Sequence, residues 1–380
     1  MMKRKIFVLY TGGTIGMSRG SDGLRPDTAL AGKALQPFSD GLDFDWHICD
    51  PLIDSSAVTL EDWRGWLDIL AAKIPQYDGV LVLHGTDTMA YTANLFALAL
   101  QGLNKPVVLT GSQWPYDADG SDAPSNLAVA AAAFSLGLKE VVIAFDGKLY
   151  PAVGSSKVST ETAAGFANPH FGAVAEWHEN TGWQNLMPRP SENNRSDGLQ
   201  VSVLNSAAEV ACRTLIPGFA VRDLSDGLKN TRAKALILQS YGHGNAPALP
   251  EFIEAVRQFT RKGGLLLNIS QVPQGCAAAV YAQGGPLRQA GALTAGKCNL
   301  ETATALLTLA VSNGWDAATL RAAIAELADR GLIVEGHRAR AGRSWFLPGA
   351  WLEGGKKDRP TEEWKAKHYL LWQDLKVRPL

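Results

Sequence analysis

"LVLHGTDTMAYT", Leu81 to Thr92, runs from an unbroken apolar stretch through a glycine turn into residues that read as the start of a helix. An apolar run without polar alternation is how a strand reads when helices cover both of its faces, as in a parallel sheet. The chain repeats this pattern in "KIFVLY", "KPVVLTG", "KEVVIAFDG", "AKALILQSYG" and "KGGLLLNIS". Helical patterns alternate with these runs. In "TLEDWRGWLDILAAKI", Trp63, Trp66, Leu67 and Leu70 follow the spacing of one helix face, and Thr59 with Asp62 forms a capping-box signature. "APSNLAVAAAAFSLG" reads as an alanine-rich helix stopped at Gly137. The expected fold class is α/β: a larger N-terminal parallel-sheet domain with helices on both faces, and a smaller C-terminal α/β, Rossmann-like domain.

Periodicity fades from about Gly182, where Pro, Asn, Ser and Gly accumulate, and this reads as an interdomain linker. The expected organisation is an N-terminal domain over 1–185, a linker over 186–207 and a second domain over 208–331. A basic, tryptophan-rich extension covers 332–380. Basic residues among aromatics can hold single-stranded nucleic acid. Packing of the tryptophans onto a domain surface is the favoured expectation, because large aromatic rings gain most from burial.

The chain has 380 residues, 46% hydrophobic and 19% charged, with a formal net charge of -1. That composition supports a large core. It supplies no electrostatic drive toward nucleic acid or an anionic membrane, so neither is expected as a partner. Cys49, Cys212, Cys276 and Cys298 are widely spaced, with no CxxC, so no metal site, cofactor or disulfide framework is expected. The apolar stretch Ile6 to Tyr10 is shorter than the roughly 7 to 15 residues of a leader's apolar region. A cytoplasmic protein is expected.

In a parallel sheet, ligands collect beyond the carboxyl ends of the strands, where loops and helix N-termini converge. The loops there are "TGGTIGM", "HGTDTM", "TGSQ" and, further on, "GSSKVST". The first lacks the GxGxxG spacing that opens directly into a nucleotide-binding helix. Gly16 to Gly20 formally matches GxSxG, but "TGGTI" separates the strand from Ser18 and no helix is expected after it, so the match reads as chance. What remains is Thr14 beside a Gly-Gly backbone that a substrate can approach closely, followed by a polar lid from about Ser18 to Pro26.

Thr86, Asp87 and Thr88 could equally cap the helix expected from about Ala90. The combination with Lys157 points to chemistry instead. A hydroxyl needs a base to become a nucleophile, and a lysine in a dry cleft can supply one. Asp87 could hold a substrate ammonium or the lysine itself. His84, beside them, is expected to make structural hydrogen bonds rather than to shuttle protons.

"YTGGTIGM" followed by "LHGTDTMAYTA" resembles the two signature loops of the bacterial L-asparaginases, in the type I, cytoplasmic branch. The likeness extends through "DSSAVTLEDW", "KPVVLTGSQ", "ALILQSYGHGNAP" and "GGLLLNISQ", to about Gly331. It implies hydrolysis of the side-chain amide of L-asparagine to aspartate and ammonia. Thr14 would attack, with Thr86 and Lys157 as a second hydroxyl and its base. Ser55 and Ser56 would hold the substrate α-carboxylate, and Asp87 its α-ammonium. Asn245 would reach the site of a neighbouring subunit, in a dimer or a dimer of dimers. The resemblance also implies a lid tyrosine, and this lid carries Leu24 in its place. Three alternatives stay open: a glutaminase-asparaginase, the amidase component of a tRNA-dependent amidotransferase, and a non-catalytic asparagine sensor.

Overall fold

The computed structural model describes residues 3–20, 23–26, 28–187, 198–218, 220–278 and 285–329. The expected C-terminal extension therefore lies outside the described residues. Strand β1 is Arg4–Tyr10, and the chain then forms a hairpin of β2 (Met17–Gly20) and β3 (Gly23–Pro26) before helix α1 (Thr28–Leu35). Ser18 thus lies on a strand followed by another strand rather than directly by a helix, so GxSxG makes no nucleophile elbow here. In the hairpin, Leu24 is registered opposite Arg19.

Strand β4 (Leu42–Ile48), helix α2 (Leu60–Lys73) and strand β5 (Gly79–Leu83) follow, then α3 (Met89–Ala99), the short β6 (Leu100–Gln101) and β7 (Val107–Thr110). Thr59 and Asp62 form the expected capping box at the start of α2, and Trp63, Trp66, Leu67 and Leu70 are buried. Helix α4 (Ala123–Ala133) leads to β8 (Val141–Phe145) and β9 (Lys148–Pro151). It ends four residues before Gly137, because Ser135 and Leu136 bond back to Ala132 and Ala133 in tighter turns that run on to the positive φ of Gly137. A two-stranded pair, β10 (Ser156–Lys157) and β11 (Phe166–Ala167), precedes β12 (Ala175–His178) and β13 (Gly182–Gln184).

The large sheet has the order β13-β12-β9-β8-β7-β5-β1-β4. Strands β4, β1, β5, β7 and β8 are parallel, and β9, β12 and β13 add antiparallel neighbours at one end. On β1, Phe7 and Leu9 pack to one face while Ile6, Val8 and Tyr10 pack to the other. The absence of polar alternation is thereby explained: both faces are covered. Edge strand β4 shows no unbroken apolar run, because "LDFDWHI" alternates exposed Asp43 and Asp45 with larger residues.

Strand β14 (Gln200–Val201) pairs with β6, and Leu204 is buried, so part of the stretch read as linker is bound to the larger sheet's domain. A second sheet of β15 (Val210–Thr214), β16 (Ala235–Ser240), β17 (Leu265–Ser270) and β18 (Leu293–Thr294) is parallel throughout. Helices α5 (Ala220–Asn230), α6 (Pro250–Arg261) and α7 (Gly285–Gln289) are threaded between these strands, and α5 and α6 cover one face. Helices α8 (Leu300–Ser312) and α9 (Ala317–Asp329) contribute to the core on the other, and α8 packs against α3. Among the described residues no helix is long and apolar enough to cross a membrane.

The order of the large sheet fixes where a ligand can sit. After β1 the chain places β4 on one side and then returns to place β5 on the other. The loops after β1 and β5 therefore diverge at a switch point, where a crevice opens. Backbone pairing continues into these loops, with Thr11 N donating to Leu83 O at 3.0 Å and Ile53 N to Thr11 O at 2.9 Å. Gly13 has φ 101°, and a Cβ there would stand 2.5 Å from Gly85 N. We expect Gly13→Ala to cost about 1 to 3 kcal/mol, from backbone strain and clash together. A drop in the urea midpoint with an unchanged slope would show it, and an unshifted midpoint would contradict it.

Candidate active site

Strand β5 ends at Leu83, and His84 to Asp87 turn across the head of the sheet before α3 begins. The turn is packed by glycine on two sides. A Cβ on Gly85 would meet Ser55 Oγ at 2.5 Å, and one on Gly111 would press into the His84 carbonyl. Thr88 is the residue before α3, yet its side chain makes no cap. Its hydroxyl donates instead to the Ser55 carbonyl at 2.7 Å. The capping reading of this threonine therefore fails, because the hydroxyl is used to tie two loops together.

Lys157 reaches the same place from β10. Its Nζ donates to Thr86 Oγ1 at 2.8 Å and to Asp87 Oδ1 at 2.7 Å. The lysine side chain is 16% exposed and that of Asp87 59%, so the amine is sheltered while the carboxylate opens to solvent. Thr86 Oγ1 in turn donates to Gln113 Oε1 at 3.4 Å. Gln113 Nε2 donates to Ser159 O at 2.9 Å, joining the "TGSQ" loop to the segment that follows Lys157. The loop is held by Asp122, whose carboxylate accepts from the backbone N–H groups of Gln113 and Trp114 at 3.0 to 3.1 Å. The sequence marked "TGSQ" as a loop at the right end of a strand, but nothing in it gave Gln113 or Asp122 these partners.

Thr14 opens a single 3-10 turn directly after Gly13 and is half-buried. The Gly13 backbone lies against Gly85, so the first loop meets the second one residue before Thr14 and one residue before Thr86. Ser55 is buried in a short turn after Asp54. Ser56 is exposed, and its hydroxyl donates to Asp54 Oδ1 at 2.9 Å. Asn245 lies elsewhere, bridged to Tyr241 in the loop after β16. Among the described residues it makes no hydrogen bond to Thr86, Asp87 or Lys157. Nor do three His, Cys, Asp or Glu side chains group there as a metal site.

His84 is 1% exposed and its tautomer follows from its partners. Trp63 Nε1 can only donate, and it donates to Thr92 Oγ1 at 2.9 Å. The Thr92 hydroxyl proton is thus left for His84 Nε2, 2.9 Å away. Nδ1 then carries the ring proton and donates to Gly85 O at 2.7 Å. Burial lowers the imidazole pKa to about 4 against the pull of the Gly85 carbonyl. The ring is neutral with both nitrogens committed, which fits a structural role in holding Gly85.

An α/β protein that gathers a threonine hydroxyl, a sheltered amine and an open carboxylate at the switch point of its large sheet has the equipment of a hydrolase with a side-chain nucleophile. A family profile described as "Asparaginase, N-terminal" matches residues 5–189, and "Glutaminase/Asparaginase C-terminal domain" matches residues 209–324. The chain belongs to the asparaginase family. It is 33% identical over 333 residues to L-asparaginase 1 of Escherichia coli strain K12, covering 86% of this chain and 97% of that protein. The crystal structure of L-asparaginase I from Vibrio cholerae superposes with a TM-score of 0.76 at 28% identity, covering 85% of this chain and 97% of that one. The thermostable L-asparaginase of Thermococcus kodakarensis gives 0.74 at 26% identity, with 84% and 96% covered.

The burial of His84 carries a pH signature. Between pH 6.5 and about 4 the unfolded imidazole takes up a proton that the folded one refuses. Its stabilising share is present above pH 6.5 and is lost as pH falls, at up to about 1.4 kcal/mol per pH unit. His170, lowered to about 4 by burial and by Lys297, acts in the same sense. In His84→Gln the decline in unfolding free energy from pH 7 to pH 4.5 should be shallower than in the parent chain. Parallel declines would exclude a neutral, buried His84.

Proposed function

We propose that this protein hydrolyses the side-chain amide of L-asparagine, releasing aspartate and ammonia. The observation that carries the reading is the meeting of Lys157 Nζ with Thr86 Oγ1 and Asp87 Oδ1, at 2.8 and 2.7 Å, from segments far apart in the chain. Similarity to the asparaginases over both matched regions supports it. Asp87 is the exposed member of the set and takes the substrate α-ammonium, a charge-assisted contact. Ser55 and Ser56 take the α-carboxylate, and Ser56 gives up its bond to Asp54 to do so. Fixing both ends of the amino acid leaves its amide directed at the hydroxyls, and orientation of this kind lowers a barrier substantially.

Thr14 Oγ1 bonds to the amide carbon as its proton passes to the amide nitrogen, and the C–N bond breaks to release ammonia. Water then cleaves the ester left on Thr14, with backbone N–H groups of the glycine loop serving the developing oxyanion. Thr86 and Lys157 form the second hydroxyl and its base, handling the proton that must reach the leaving ammonia and the water that completes the cycle. The catalytic lid is the β2–β3 hairpin. We place the protein in the cytoplasm as a homo-oligomer, with Asn245 completing the site of a neighbouring copy and the domain boundary in the stretch before β15.

The test is ammonia release by the purified chain, with asparagine and glutamine supplied separately. Thr14→Ala and Thr86→Ala should each lower kcat by about 10³-fold or more with the fold retained. Asp87→Ala should raise KM for asparagine, since its contact is with the bound substrate. Wild-type turnover in both threonine variants would overturn the assignment. Tight binding of asparagine without ammonia would favour a sensor, and activity only with an added protein and tRNA would favour an amidotransferase component.

A further inference from the structure

Behind the strand that carries Lys157 lies a buried polar cluster that the proposed chemistry leaves unused. Ser156, the residue before Lys157, donates its hydroxyl to Glu301 Oε2 at 2.9 Å and accepts from Asn299 Nδ2 at 2.9 Å. Asn299 is the N-cap of α8: its Oδ1 accepts from Thr302 N while its Nδ2 also donates to Ser155 O at 3.0 Å. Gly154 N donates to both Asn94 Oδ1 and Thr302 Oγ1, at 3.1 and 3.0 Å. The backbone from Gly154 to Ser156 is therefore gripped by the first turn of a helix that packs on the second sheet. On its other side, β10 is registered with β11, Lys157 opposite a buried Phe166 that packs on Phe145 with ring centroids 4.8 Å apart.

Glu301 is the ionisable member of this cluster and is 9% exposed. Burial pushes its carboxyl above the usual range; burial likewise raises Tyr91 on α3 to about 12 and raises the Cys298 thiol, each with a smaller contribution from the Glu301 charge. A carboxyl in such surroundings is costly, and only a bond that matters offsets the cost. Besides a bond from the backbone N–H of its own residue, the carboxyl accepts one from the neighbour of Lys157.

We propose that Glu301 is a positioning residue for Lys157, holding Ser156 so that Nζ stands between Thr86 and Asp87. The proposal rests on the hydrolytic reading above and adds to it that the second sheet's domain, through α8, sets the place of the amine. The chain of bonds is directed, from Asn299 amide to Ser156 hydroxyl to Glu301 carboxyl. Truncating the acceptor frees the hydroxyl's proton and removes one of the bonds that fix Ser156, while Asn299 keeps its hold on the segment. A displacement of about 1 Å in a reacting group is enough to cost some 100-fold in rate.

The experiment compares Glu301→Ala, Glu301→Gln, Ser156→Ala and Lys157→Ala in the full chain, reading kcat and KM for ammonia release. A second reading is the rate at which a lysine-acylating reagent modifies position 157, followed by peptide mass mapping. Glu301→Ala should lower kcat by about 10- to 100-fold, with KM within about twofold, and should speed acylation of Lys157. Glu301→Gln should keep kcat within about threefold, because an amide oxygen also accepts the Ser156 bond. Ser156→Ala should follow Glu301→Ala, and it decides the matter if Glu301→Ala does not fold. Wild-type kcat and acylation in Ser156→Ala, beside an inactive Lys157→Ala, would overturn the proposal. So would a Glu301→Gln variant that folds and is as slow as Glu301→Ala. A parent chain that releases no ammonia would sink the hydrolytic reading alone, and the acylation rates would still judge the placement of Lys157.

Discussion

Two glycine backbones in contact, Gly13 against Gly85, are the constraint on which the site depends. Any Cβ at either position would separate the loops, since Gly13 faces the Gly85 backbone and Gly85 faces Ser55. The contact exists because β1 and β5 are adjacent and parallel, with Tyr10 registered on Leu83. Both strands therefore end at the same height and deliver their loops to one crevice. Without that closeness the hydroxyls of the two loops would belong to separate surfaces.

The remaining pieces are brought in by polar bonds rather than by apolar packing. The bond from Thr88 to Ser55 ties the loop after β5 to the loop after β4, and Gln113, held by Asp122, ties in the loop after β7. His84 sits beneath as a neutral spacer, edge-on to Trp66 at 5.4 Å and bonded to the Gly85 carbonyl. Buried polar networks of this kind specify one arrangement, because any alternative leaves a donor or acceptor without a partner. Apolar side chains in the core around them would tolerate small shifts that a fully bonded network does not.

Lys157 illustrates the division of labour between the two sheets. The large sheet supplies Thr86 and Asp87, while the strand bearing the lysine is gripped by α8, which packs on the second sheet. The apolar core is continuous across α3 and α8, so the two sheets are joined by packing as well as by hydrogen bonds. A chain organised in this way can change its second domain only within limits set by the first.

Much of the fold was legible because burial on both faces leaves a local trace. The runs at Ile6, Val80, Val107, Val141, Leu236 and Leu265 each lie in a parallel strand, and the capping box and apolar face of α2 were readable within a dozen residues. The loops at the strand ends marked Thr14, Thr86, Asp87 and Lys157, the resemblance gave them roles, and the structure brings Lys157 to Thr86 and Asp87. Less legible were β4, whose outer edge admits aspartates, and β14, too short to show periodicity. The roles of Gln113, Asp122 and Glu301, and the turn of Thr88 away from its own helix, were absent from the sequence altogether. Hydrophobic pattern reports how each segment meets solvent, so the sequence by itself determined the elements and their class. A hydrogen bond between residues such as Ser156 and Glu301 depends on where two distant segments end in space. Only the tertiary structure decided that, because strand order and helix packing set those positions and no local signal records them.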